Sequence, residues 1–328
     1  MTSAPCEHPR AAPARSPALS RPSLRGVRAE RGGPGALAAS AAAAACAVLL
    51  AAGSAPAAAQ GSAGAGQHQA RPDTTSGAAV DARSPAARSW SFPVGERAVY
   101  DVRVALGSVP SPRPLGEARL TVEGTEPVDG TPTYRTSLEV EGGIPLVYRM
   151  ENRQVSWIAP DPIRSLRYLE RLREGDYRRH RRYRLDQEAG TFTRYDRVDG
   201  TWRRVAERTG VAMPDDALDE VSFLYFVRSL PLEPGETYRY ERFFEPDGNP
   251  VVLEVLGRER IRVPAGTFET VVVRPILQTD GLFAEGGQAR VWITDDRRRI
   301  IVKIESSMKV GRVDMHLRSY ESGESSGP

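Results

Sequence analysis

The sequence predicts a mainly β fold: one large curved antiparallel sheet or open barrel, built from two six-stranded meanders with one buried helix near residues 215–230 between them. Three observations predict it. From Trp90 onward the chain runs in alternating apolar and polar stretches separated by Gly, Pro and Asp turns, the pattern of half-buried strands joined by hairpins. One segment alone changes to helical spacing. Three landmarks also occur twice in the same order, and a repeat governs how every motif is read.

Taken in order, residues 1–59 have an Arg-bearing start, an apolar stretch from Ala36 to Ala52, and small residues at Ala57 and Ala59 before Gln60. This is the layout of a secretory signal cleaved near Ala59-Gln60, so the expected location is the periplasm or cell envelope, with no transmembrane span after cleavage. Cys6 and Cys46 both lie in this leader, which leaves the mature chain without disulfide, thiol nucleophile or cysteine metal site. Lipidation at Cys46 is disfavoured because the apolar run continues past it to Leu49 and Leu50. Residues 60–89 are Gly, Ala, Ser, Gln and Arg without apolar periodicity and are expected to be a disordered linker.

The β domain is expected over 90–321, as subrepeats of about 90–210 and 231–321, with a disordered tail at 322–328. Tyr100, Val102 and Val104 alternate with Val99, Asp101 and Arg103, setting the first strand. The strand-like runs "GEARLTVEG", "TYRTSLEVE", "VYRMENRQVSWI", "LRYLERLR", "YRRHRRYRLD" and "TFTRYDRVDG" follow. Between the halves, "PDDALDEVSFLYFVRSLP" has acids in its first turn and ends on Pro231, as helix ends prefer. Its apolar residues surround nearly the whole helix, so it should be buried, inside the curve of the sheet. The second half reads "TYRYERFFE", "VVLEVLGRERIRV", "FETVVVRPIL", "QARVWIT", "RIIVKIESSM" and "RVDMHLRSYE". In "RVPAGTFET", Gly266 supplies the backbone freedom for a tight hairpin.

The landmarks of the repeat are "GERAVY" at Gly95 against "GETYRY" at Gly235, V-x-G-x-E and then G-T, an aromatic, x and T, ending at Thr136 and Thr270, and "WIAPD" at Trp157 against "WITDD" at Trp292. Each Trp is followed by a Glu thirteen residues on, Glu170 and Glu305.

The formal charge is +3, but the leader carries six Arg against two acids, so a chain without it stands at −1. That argues against nucleic acid as a partner, whose binding rests on an excess cationic field. Lysine occurs only at Lys303 and Lys309, against 43 arginines, so a single Arg carries little information here. One cluster stands out, "RLREGDYRRHRRYRLD" from Arg171 to Asp186. Read as a hairpin with its turn at Glu174–Asp176, it puts Arg178, His180, Arg182 and Arg184 on one face. Arg178, Arg182 and Arg184 are the candidates for contact with anionic headgroups.

Acid–base or nucleophilic catalysis draws on histidine, cysteine or paired carboxylates. Past the linker only His180 and His316 occur, the first among arginines that hold it neutral, the second alternating with Met315 and Leu317 in the last strand. Asp219 and Glu220 suit a helix N-terminus, and Asp295 and Asp296 a hairpin turn. No catalytic residue, metal ligand or cofactor motif is assigned, and the expected protein is not an enzyme. Val271–Val273 and Ile300–Val302 are apolar on both strand faces, which calls for cover on both sides or a lined cavity. With Tyr148, Trp157, Phe243, Phe244, Val271, Val273 and Trp292 as lining candidates, a hydrophobic concavity would take a lipid or lipoprotein acyl chain. The competing reading is a module that assembles with another envelope protein.

"FPVGERAVYDVRV", "LGEARLTVEG", "LDEVSFLYFVRSLPLEPGETY", "LGRERIRVPAGTFETVVVRP" and the stretch from Ala289 to Glu321 together resemble the bacterial domain-of-unknown-function family numbered 3108, over Trp90 to Glu321. The resemblance implies an exported, β-rich envelope protein with no established activity. A curved sheet holding a helix is more distantly similar to the periplasmic lipoprotein carriers, a likeness of fold that does not fix function.

Overall fold

A computed structural model describes residues 86–89, 93–106, 109–111, 113–144, 148–277, 289–308 and 311–324. The expected leader, its cleavage point, Cys46 and most of the linker and tail lie outside these residues. Sixteen strands occur among them: β1 (Val94–Leu106), β2 (Val109–Pro110), β3 (Gly116–Thr125), β4 (Tyr134–Ile144), β5 (Tyr148–Pro160), β6 (Ile163–Glu174), β7 (Tyr177–Asp186), β8 (Thr191–Val198), β9 (Thr201–Arg204) and β10 (Val211–Ala212) in the first half. The second half holds β11 (Thr237–Tyr240), β12 (Val251–Val263), β13 (Gly266–Leu277), β14 (Ala289–Thr294), β15 (Ile301–Met308) and β16 (Gly311–Glu324). All belong to one antiparallel sheet, ordered β10-β8-β7-β6-β5-β4-β3-β1-β16-β15-β14-β13-β12-β11, with β2 on β1 and β9 on β8. The two halves are meanders joined at β1 and β16, the first and last strands among the described residues. The sheet stays open, because β10 and β11 do not pair with each other.

The repeat is visible strand by strand, β1, β3, β4, β5, β6 and β7 corresponding to β11 through β16. Gly95 and Gly235 both hold positive φ, 84° and 86°, each in a turn in which the next N–H reaches back three residues, Glu96 to Pro93 at 3.0 Å and Glu236 to Glu233 at 3.1 Å. Only glycine takes this conformation without steric cost. The pairing register slips at Val122/Gly124 and again at Val255/Gly257, then at Trp157/Ile158 and again at Trp292/Ile293. Each Trp then donates its indole N–H to the Glu of V-x-G-x-E, Trp157 to Glu126 and Trp292 to Glu259, both at 2.9 Å. Cations cover both rings, Arg167 and Arg135 over Trp157, Lys303 and Arg290 over Trp292. The halves differ where β8, β9 and β10 extend the first one, which therefore carries more than the six recurring strands.

The helix α1 (Glu220–Ser229) starts later than expected. Asp215 and Asp216 form a turn, Asp216 at a φ of 49°, and the backbone of the next two residues is used elsewhere: the Ala217 carbonyl accepts from Ser165 N–H, and Leu218 exchanges bonds with Arg242 and Phe244. Asp219 is the N-cap, its Oδ1 taking the N–H groups of Val221 and Ser222 at 2.9 Å each while Ser222 Oγ receives Asp219 N–H at 2.8 Å. Its other oxygen accepts from Ser156 on β5 and Ser165 on β6, at 2.6 and 2.5 Å, so one buried carboxylate caps the helix and ties it to the sheet.

Val221, Tyr225, Phe226 and Val227 of α1 pack into one continuous core with inward residues from both halves, among them Tyr100, Leu120, Tyr168, Tyr183, Leu253, Val271 and Ile293. The helix packs against this inner face of the sheet. The strip after β11, read as strand from "TYRYERFFE", instead leaves the sheet at Glu241: Phe244 turns inward against Tyr168, Tyr183 and Phe192, and Arg242 Nη2 reaches the Ile163 carbonyl at 2.5 Å. This strap spans from the β11 edge to the inner wall of β6–β8. The disorder expected through Ser89 is corrected at its last residues, where Ala87 packs on the core and Arg88 N–H bonds Ser229 O at 3.2 Å. At the other end, β16 runs to Glu324, past the expected boundary at 321.

Candidate functional site

The lining candidates are divided between the two sides of the sheet. Phe243, Phe244, Val271 and Val273 belong to the inner core, packed with α1. Tyr148 is partly buried at its margin. Trp157 sits on the opposite side in a small cluster with Val128, Val155, Ala159 and Leu166. Trp292 also faces outward, opposite Val272, which explains why the Val271–Val273 run is covered on both faces. These residues do not converge on one concavity.

The outer side of the arginine hairpin forms a different kind of surface. Directly paired residues of neighbouring strands point to the same face, so the register places Arg167, Leu169, Arg171 and Arg173 of β6 beside Arg184, Arg182, His180 and Arg178 of β7. Arg182 is opposite Tyr195 on β8, and Tyr195 and Arg197 are opposite Arg204 and Trp202 on β9. The Arg182 guanidinium lies 4.9 Å from the Tyr195 ring centre and 5.0 Å from that of Trp202, Arg197 lies 5.9 Å from Trp202, and His180 meets the Trp202 ring edge-on at 4.8 Å. Burial, then the charges of Arg197, Arg171 and Arg173, hold His180 below the usual imidazole range, so the neutral ring expected from the sequence packs on the indole.

Two like-charged pairs stand directly across from each other on this face, Arg167 with Arg184 and Arg173 with Arg178, an arrangement that costs stability. The acids that reach it come from its margins: Glu126 to Arg167, Glu151 to Arg173, and Asp129 and Asp186 to Arg184. Among the described residues Arg171, Arg178, Arg182, Arg197 and Arg204 form no ion pair with a carboxylate. Of the three anionic-contact candidates, Arg182 is the one presented on aromatic rings. Arg178 turns back onto the carbonyls of Gly175 and Tyr177, and Arg184 is paired.

The outer face of β16, β1, β3, β4 and β5 is built on the opposite rule. There Arg318 pairs with Asp101 and Glu117, Arg119 with Glu117, Glu139 and Glu141, and Arg153 with Glu123 and Glu139. On the outer face Arg119, Arg153 and Arg318 are neutralised across strands, while among the described residues Arg171, Arg182, Arg197 and Arg204 of β6–β9 form no ion pair, although both sets come from the same arginine-rich composition.

Trp202, Tyr195 and Arg197 were not singled out in the sequence. The signal was the Asp-Gly pair after "TFTRYDRV": Asp199 and Gly200 take φ of 49° and 78°, the turn that reverses the chain into β9 and lays Trp202 beside Arg197.

His316 stands on the outer face beside Asp101 and Lys303. Burial and then Lys303 hold it below the usual range, and its Nε2 has no hydrogen-bond partner among the described residues. No helix among the described residues is long and apolar enough to cross a membrane.

No curated protein matches the chain. Among solved structures it is similar to a β-barrel-like protein of the domain of unknown function DUF1849 from Brucella abortus, at 9% identity and a TM-score of 0.44, covering 71% of this chain and 99% of that one. It is also similar to the hypothetical protein CT021 from Chlamydia trachomatis, at 8% identity and a TM-score of 0.32 over 73% of this chain and 92% of that one. A protein from Bacteroides fragilis with a YmcC-like fold follows at 13% identity and a TM-score of 0.26, over 71% of this chain and 100% of that one. In sequence, residues 99–318, nearly the whole described sheet with its helix and strap, match one family along their length: the chain belongs to the family described as protein of unknown function DUF3108.

Proposed function

We propose that the chain is a non-enzymatic, exported cell-envelope protein that docks onto anionic lipid headgroups through the outer face of β6–β9, rather than holding an apolar ligand in the curve of its sheet. One observation carries the reading: arginines left unpaired and stacked on Tyr195 and Trp202, on a face that the second half of the fold does not reproduce. Stacking holds the guanidiniums in place at little entropic cost, and amphipathic rings suit the level of lipid headgroups. The leader pattern of residues 1–59 supports export. The inner wall, packed with α1 and the strap, favours the outer face as the binding surface.

Flotation with phosphatidylglycerol vesicles tests this, because each basic residue near an anionic surface contributes about 1 kcal/mol. R171Q/R182Q/R197Q is expected to weaken binding roughly a hundredfold. Binding should also fall with added salt and be absent on phosphatidylcholine. Retention of wild-type affinity by the triple variant would overturn the proposal. Failure of the wild type to float, together with capture of one acidic envelope protein by crosslinking through this face, would give the assembly-module reading in its place.

A further inference from the structure

A second charged feature lies at the other end of α1, away from the arginine hairpin. A cleft of about 500 Å³ opens between residues 88–89, the C-terminus of α1, the β14–β15 turn and β16. Among the described residues five arginines line it, Arg88, Arg228, Arg297, Arg298 and Arg299, against one carboxylate, Glu96.

Three of the five are matched. Arg228 is buried and donates to both oxygens of Glu96, at 3.1 and 2.5 Å, and Tyr320 Oη adds a bond to Glu96 at 2.9 Å. Arg298 grips Asp296 with two nitrogens, at 3.0 and 2.6 Å, and Arg299 lies 3.6 Å from Asp295 while donating to the Pro231 carbonyl. Arg88 and Arg297, both exposed, have no side-chain partner among the described residues. The carbonyls at the end of α1, which would repel an anion, are already engaged: Ser229 Oγ donates to Phe226 O, Leu230 N–H to Val227 O and Arg88 N–H to Ser229 O.

We propose that this cleft binds a phosphate group, with Arg88 and Arg297 supplying the two uncompensated charges and the buried Arg228–Glu96 pair forming its fixed back wall. A phosphate monoester carries close to two negative charges at neutral pH and matches two free guanidiniums, where a lone carboxylate would leave one unanswered. Guanidinium forks suit phosphate oxygens geometrically. Ser89 and Ser322 place hydroxyls on the same wall. The same chemistry fits a free phosphate monoester and a lipid headgroup that ends in a phosphate monoester.

Calorimetric titration of the full chain with inorganic phosphate, and separately with glycerol 3-phosphate, distinguishes the sources. Binding of both points to a free phosphate compound, and binding of glycerol 3-phosphate alone to a headgroup. In either case R88Q/R297Q is expected to lose at least roughly tenfold in affinity, with its melting temperature unchanged since both side chains are exposed and unpartnered. R171Q/R182Q/R197Q should bind as the wild type does, which separates this cleft from the outer face of β6–β9. Absence of binding to both phosphates, or equal binding by R88Q/R297Q and the wild type, would overturn the assignment.

Discussion

Replacing Glu96 with Gln is expected to lower the free energy of unfolding by about 3–5 kcal/mol, the cost of leaving a buried charge without its partner. Arg228 is 3% exposed, donates to Glu96 and to the carbonyls of Arg298 and Arg299, and lies 5.2 Å from the Tyr225 ring centre. Glu96 belongs to β1, Arg228 to α1 and the two carbonyls to the β14–β15 turn, so this single interaction joins both halves of the sheet to the helix. The neighbouring carboxylate holds Arg228 above its usual range even against burial, which on its own lowers it. Urea denaturation measures the effect. E96Q/R228M should be less destabilised than E96Q, because the double change removes the stranded charge together with its partner. Equal loss in the two variants would mean that packing, not charge, accounts for the cost.

The second large effect depends on pH. Glu245 lies in the strap, directly after Phe244, 4% exposed and with Oε1 lacking a hydrogen-bond partner among the described residues. Burial pushes its carboxyl up to about 7, Arg208 opposes the rise, Glu170 of β6 adds to it, and Arg181 of β7 and Arg194 of β8 pull it down again. A carboxyl raised on folding gives its full contribution below the unfolded value near 4.5 and loses it as pH climbs to 7. A shift of this size corresponds to about 3 kcal/mol. E245Q is therefore expected to be more stable than the wild type at pH 8 by up to about 3 kcal/mol and to match it near pH 4. Burial raises the Glu170 carboxyl as well, so the variant keeps part of the slope. The difference between the two proteins isolates Glu245, and parallel stability curves from pH 4 to 8 would refute the assignment.

The fold was legible because its signals are local and repeated. Tyr100, Val102 and Val104 alternate in the sequence and are all buried, and the three landmarks reappear as shared turns, bulges and indole–carboxylate bonds. The helix starts later than its composition suggests because Asp215 and Asp216 have the residues of a first turn but form a separate turn, and long-range bonds from Ser165, Arg242 and Phe244 engage the backbone of 216–218. Phe243 and Phe244 read as strand for a similar reason: nothing near them in the sequence reveals that Tyr168, Tyr183 and Phe192 wait across the inner wall.

The candidate site was legible in part. Strand parity placed Arg178, Arg182 and Arg184 on one face, but which of them is free depended on the Gly175 carbonyl, on Asp129 and on the ring of Trp202, contacts that parity does not specify. The apolar residues nominated as a lining share composition but not a side. Trp157 and Trp292 follow the register slips outward, and Val271 and Val273 point in.

Backbone hydrogen exchange of the full chain, with and without phosphatidylglycerol vesicles, tests the central claim most directly because it reports where contact occurs. Docking through the arginine and aromatic face predicts slowed exchange in β7, β8 and β9, residues 177–204, with the strap and β11–β13 unchanged. Protection confined to the strap and the inner strands, or no protection in 177–204 when the protein is vesicle-bound, would contradict it.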